Sequence, residues 1–157
     1  MKTRNIKVKI IGELKLIGFR IVCPGDQYII EIPKAASKLK ERVHEIQHII
    51  DKQVQLGAFI AEDTTADLDG YWVGVEVEKI DVIPPGMVSL SIPPQAYVST
   101  FYQGMNHGIR DAYREMHEWA ELNGYARRRD LWHVEKFYRF DSGEQVEVEL
   151  LDTVELK

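Results

Sequence analysis

The chain has 157 residues, 45% of them apolar and 29% charged, with a formal net charge of −5; this suits one globular domain with a buried core and excludes a disordered chain. No apolar run reaches the roughly 20 residues of a membrane-spanning helix, the N-terminal stretch lacks a signal-peptide cleavage pattern, and a lone cysteine, Cys23, excludes an internal disulfide and points to a cytoplasmic location. An isoelectric point near 5.6 argues against a general nucleic-acid binder, whose affinity rests on clustered Lys and Arg.

In chain order, residues 6–11 and 14–22 are rich in Ile, Val, Leu and Phe and read as strands, followed by a Pro24-Gly25-Asp26 turn. A helix is expected over 35–54, with Leu39, Val43, Ile46, Ile50 and Val54 on one stripe and Gly57 as its stop. Short strands follow at 58–61 and 71–77, separated by an acidic loop. Met87 to Ile92 lies between two Pro-Pro pairs, so it is short or lies at a sheet edge, because proline removes a ladder donor.

The order then repeats. A strand at 95–103 leads through Gly104 into a helix over 107–122, whose stripe is Ile109, Ala112, Tyr113, Met116, Trp119 and Ala120. Asn123-Gly124 stops that helix. Strands over 131–140 and 145–151, joined by an Asp141-Ser142-Gly143 turn, form a hairpin. Two β-α-β-β units, about 1–83 and 84–157, match at an offset of roughly 80 residues, half a typical domain. The expected class is α+β: duplicated β-α-β-β units, an antiparallel-rich sheet, two helices, and a ligand groove between the halves.

Glu135 stands out in the segment LWHVEKFYRF. Period two places Leu131, His133, Glu135 and Phe137 on one face, and Trp132, Val134, Lys136 and Tyr138 on the other. Glu135 either faces solvent beside an exposed His133 or sits in an aromatic pocket. In a pocket it would attract an organic cation or act as a general acid or base. The other tryptophans and tyrosines serve equally as core residues or as walls for a flat lipophilic ligand.

Other chemistries have weaker signals. His44-Glu45-Ile46-Gln47-His48 satisfies the HExxH pattern on an expected helix, but no third ligand follows, and a solvated helix face is the favoured reading; no metal site is expected. No Gly-rich phosphate loop is present, so no cofactor is expected. Cys23 has no feature that would activate its thiol, and Arg127-Arg128-Arg129 reads as a solvated loop or as a contact for an acidic partner.

The run IPPQAYVSTFYQGMNHGIRDAYREMHEWAELNGY, then WHVEKFYRF and VEVELLDTVEL, resembles the gyrase-inhibitor-like (GyrI-like) small-molecule-binding family. That family includes the effector-binding domains of AraC-type and multidrug-responsive MerR-type transcription regulators. IPKAASKL and YWVGVEV extend the resemblance across nearly the whole chain. The resemblance implies a single effector-binding domain over 1–157, with Glu135 as the acidic pocket residue and Tyr71, Trp72, Tyr97, Phe101, Trp119 and Phe137 as candidate walls. No helix-turn-helix is legible, so a stand-alone binding module is expected, with no direct nucleic-acid or membrane contact. It would sense or sequester small lipophilic molecules, cationic ones among them, or act through a protein partner. The alternatives are a hydrolase that opens strained rings of toxic natural products with Glu135, and a gyrase-interacting regulator.

Overall fold

In the computed structural model, residues 5–140 and 145–156 are described, and the turn expected at Asp141-Ser142-Gly143 lies outside them. In chain order the elements are β1 (Lys7–Ile11), β2 (Leu14–Ile21), α1 (Tyr28–Arg42), β3 (Gln55–Ile60), β4 (Tyr71–Glu76), β5 (Val88–Ile92), β6 (Gln95–Met105), α2 (Ile109–Leu122), β7 (Trp132–Phe140) and β8 (Gln145–Val154). The strands make one sheet in the order β1-β6-β8-β7-β3-β4-β2-β5, and every neighbouring pair is antiparallel. The class is therefore α+β with two helices, as the repeated pattern predicts.

The order is symmetric about its centre. Lys7 and Val88 open β1 and β5, and Tyr28 and Ile109 open α1 and α2; both pairs are 81 residues apart. The edge strands are exchanged, since β1 pairs with β6 and β5 with β2. β5 is five residues long and lies at an edge, in keeping with the prolines on either side.

These connections also force the sheet to curl. β1 and β2 stand six places apart, about 29 Å in a flat sheet. Only Gly12 and Glu13 join them, and that link reaches about 11 Å at most. The two edges must therefore approach each other. Residues from all eight strands meet inside the curl, among them Ile11, Leu16, Leu56, Trp72, Ile92, Tyr97, Val134 and Leu151. Both helices lie on the other face. There Leu39 of α1 packs with Ile17, Val73 and Val75, and Met116 of α2 packs with Val98, Val148 and Leu150.

The first helix differs from expectation. It runs from Tyr28 to Arg42 with Pro33 inside it, and its inward stripe is Ile32, Ala35, Ala36 and Leu39. Beyond Val43 the apolar spacing continues by coincidence. Ile46 packs on the helix side of the sheet and Val54 inside the curl, which no single helical stripe could do. Gly57 is in β3 and does not end a helix. The HEIQH segment is likewise not helical throughout: His44 and Glu45 close a 3-10 turn, Ile46 is extended and His48 has φ of 63°. The i,i+4 geometry that HExxH needs is therefore absent there.

Candidate functional site

α1 packs on β2 and β4, and α2 on β6. β7 and β3 run between them in the middle of the sheet. Central strands are normally covered, yet Phe59, Glu135 and Phe137 on the helix side are only half-buried. These side chains lie on the helix side of the two strands that run between α1 and α2.

Glu135 is the polar group among them, and it gathers donors from both halves. The Tyr71 hydroxyl, from β4, donates to its Oε1 at 2.6 Å, and the Tyr113 hydroxyl, from α2, donates to its Oε2 at 2.6 Å. One donor per oxygen matches a carboxylate, which accepts only. Burial, reinforced by the charge of Glu135 and the hydrogen bond to it, holds both phenols well above their usual pKa. They therefore remain donors at neutral pH.

Gly57 makes this arrangement possible. It stands directly across the β3–β7 ladder from Glu135. A Cβ at this position would meet the Tyr71 hydroxyl at 1.7 Å, so the tyrosine reaches Glu135 only by crossing a residue without a side chain.

A second polar cluster adjoins the first. Asp152 of β8, 1% exposed, faces His133 Nδ1 at 2.6 Å, Arg127 Nε at 2.8 Å and His117 Nε2 at 3.2 Å. Burial alone would raise the Asp152 pKa; bonds from His117, His133 and Arg127 outweigh it and hold the carboxyl well below the usual range. Rings connect the two clusters on both flanks. His133 stacks on Phe59 at 5.4 Å and Phe59 on Tyr71 at 5.8 Å, while Tyr113 lies 6.0 Å from His117.

The expected wall residues are scattered. Tyr71 touches Glu135, and Phe137 shares its face and packs toward α2. Trp72 and Tyr97 lie inside the curl, where Trp72 meets Trp132 edge-on at 5.0 Å and Tyr97 accepts a bond from Gln95. Trp119 stacks on Tyr125 at 5.9 Å. Phe101, 49% exposed, faces Tyr138 and lines an open hollow of about 520 Å³. Tyr113, His117, Arg127 and Asp152 were not anticipated as site residues. The i,i+4 spacing of Tyr113 and His117, and the shared strand face of His133 and Glu135, were the available signals.

By structure, the chain is similar to the C-terminal domain of EcmrR (19% identity, TM-score 0.69, 98% of this chain and 99% of that one). EcmrR in its DNA complex matches at 17% identity and TM-score 0.67 over 96% of this chain, which spans only 57% of that one. SAV2435 bound to tetraphenylphosphonium matches at 14% identity and TM-score 0.67, covering 96% and 94%. A hydrolase from Listeria innocua matches at 11% identity and TM-score 0.54, covering 99% and 94%. At these identities the likeness is one of fold. No curated protein matches by sequence. Among the described residues no helix is long and apolar enough to cross a membrane. The model of the GyrI-like small molecule binding domain matches residues 4–150, and the chain belongs to that family.

Proposed function

We propose that the chain binds small lipophilic cations in the groove between its halves, with Glu135 as the countercharge. The observation that carries this reading is the carboxylate itself, half-buried among aromatic rings and held by one tyrosine from each half. Among the described residues no lysine, arginine or histidine pairs with Glu135. A bound cation supplies the missing positive charge, and the faces of Tyr71, Tyr113, Phe59 and Phe137 supply apolar area and ring quadrupoles. The tetraphenylphosphonium on SAV2435, a chain of similar fold, is a ligand of this chemistry.

Such a module serves to sense or sequester its ligand in the cytoplasm, and coupling to a protein partner would turn occupancy into a signal. Hydrolysis by Glu135 is the weaker reading. Both buried hydroxyls are spent on the carboxylate, so neither is placed to donate to a developing oxyanion.

Calorimetric titration with tetraphenylphosphonium tests the proposal. Glu135→Gln is expected to weaken binding at least tenfold, about 1.4 kcal/mol, while the thermal midpoint stays within a few degrees. Equal affinity of the two proteins would reject Glu135 as the countercharge.

A further inference from the structure

Beside the Glu135 carboxylate lies a buried polar atom without a partner. His133 is 1% exposed, and its Nδ1 faces the Asp152 carboxylate at 2.6 Å. Asp152 also holds Arg127 and His117, and as an acceptor it requires the proton on Nδ1. With that proton on Nδ1, the ring presents a lone pair at Nε2. Among the described residues, that nitrogen has no hydrogen-bond partner. Buried polar atoms are nearly always satisfied, so an orphan at a binding groove points to a group the ligand brings.

The placement fits. His133 and Glu135 alternate on one face of β7, about 7 Å apart along the strand. Nδ1 is the nitrogen nearer the backbone and faces Asp152, and Nε2 is the distal one. Phe59 stacks against one face of the ring, which keeps the imidazole upright beside the carboxylate.

The geometry points to His133 as a specificity-determining residue: the groove prefers cations that carry N–H donors, protonated amines, over quaternary ones. The ammonium pairs with the Glu135 carboxylate and donates one N–H to His133 Nε2. A quaternary cation has no hydrogen to give, and it seals the lone pair under apolar surface. This inference rests on the cation-binding reading of Glu135.

A matched pair of probes, 2-naphthylmethylammonium and its N,N,N-trimethyl analogue, tests it by calorimetry at neutral pH. The wild-type chain is expected to favour the N–H probe tenfold or more. His133→Asn keeps a donor toward Asp152, since the amide nitrogen takes the place of Nδ1, and leaves nothing at Nε2. That variant should lose the preference by weakening only the N–H probe; retained binding of the trimethyl probe also reports its fold. Equal affinities in the wild type, or a preference that survives His133→Asn, overturns the inference. The wild-type ratio is decisive even without a folded variant if the two probes bind alike. Glu135→Gln separates the two levels of the argument. If it leaves both probes unaffected, the cation site itself is wrong; if it weakens both while the wild type does not discriminate, only the role of His133 falls.

Discussion

At the offset of 81 residues that relates the helices, Ile32 and Ala36 of α1 correspond to Tyr113 and His117 of α2. Leu39 and Ala120, matched by the same offset, are both fully buried. The deepest anchors are thus apolar in both halves, while the preceding inward positions are apolar in α1 and polar in α2. The same contrast recurs in the sheet, where Gly57 of β3 faces Glu135 of β7. The second half carries the charged and titratable groups. The first contributes Tyr71 and, at Gly57, the space through which Tyr71 reaches across. Matching scaffolds can therefore divide a site unequally, one supplying chemistry and the other access.

The largest expected effect breaks the polar side. Asp152→Ala leaves Arg127, His117 and His133 around a buried void, and removing one member of such a group costs about 3–5 kcal/mol in urea unfolding. A loss under about 1 kcal/mol would mean that this half rests on apolar packing as its counterpart does. The depressed Asp152 carboxyl also sets an acid limit. Its stabilising contribution is present above the ordinary carboxylate pKa of about 4 and is lost as pH falls through the lower folded value. Stability should therefore decline below about pH 4 in the wild type, and this component should be missing in the variant.

A smaller effect comes from filling the access. Gly57→Ala drives a methyl into the Tyr71 hydroxyl, with a cost of about 1–3 kcal/mol for overpacking. Tetraphenylphosphonium affinity should fall along with stability, because Tyr71 must swing off Glu135. Unchanged affinity would show that this contact does not orient the carboxylate for ligand.

The smallest effect sharpens the comparison at adjacent residues. Tyr71→Phe removes one donor to Glu135, about 1 kcal/mol, and should weaken ligand binding a few-fold. Trp72→Phe, on the opposite face, should cost comparable stability through lost packing and leave ligand affinity alone. A ligand effect from Trp72→Phe as large as that from Tyr71→Phe would refute the assignment of the groove to the helix side.

Strand alternation made most of the sheet legible in advance, and it singled out Glu135 as a carboxylate among aromatics. It left open which of Tyr71 and Trp72 faces Glu135, because period two separates them without saying which side the helices cover. Register was equally hidden. Gly57 reads as a helix stop in one dimension and gains its role only from the tyrosine hydroxyl above it. Asp152 passes for an ordinary polar residue near the end of a strand until β8 pairs with β7 and brings His133 beside it. The helix expected over 35–54 follows an apolar spacing that continues past Val43, whereas α1 runs from Tyr28 to Arg42 with Pro33 inside it.

The exchange of edge strands has a consequence for how such an arrangement can originate. A chain holding only one half would lack the partner for its own first strand and would be complete only as a pair of identical copies, each lending that strand to the other. In that symmetric pair, the residue at the centre of the β3–β7 ladder would face its own copy. Two glycines there would offer no charge, and two glutamates would set like charges directly opposite each other. One glutamate facing one glycine requires the copies to be joined in a single chain and free to diverge, so covalent fusion is what allows a solitary carboxylate at the axis of a symmetric fold.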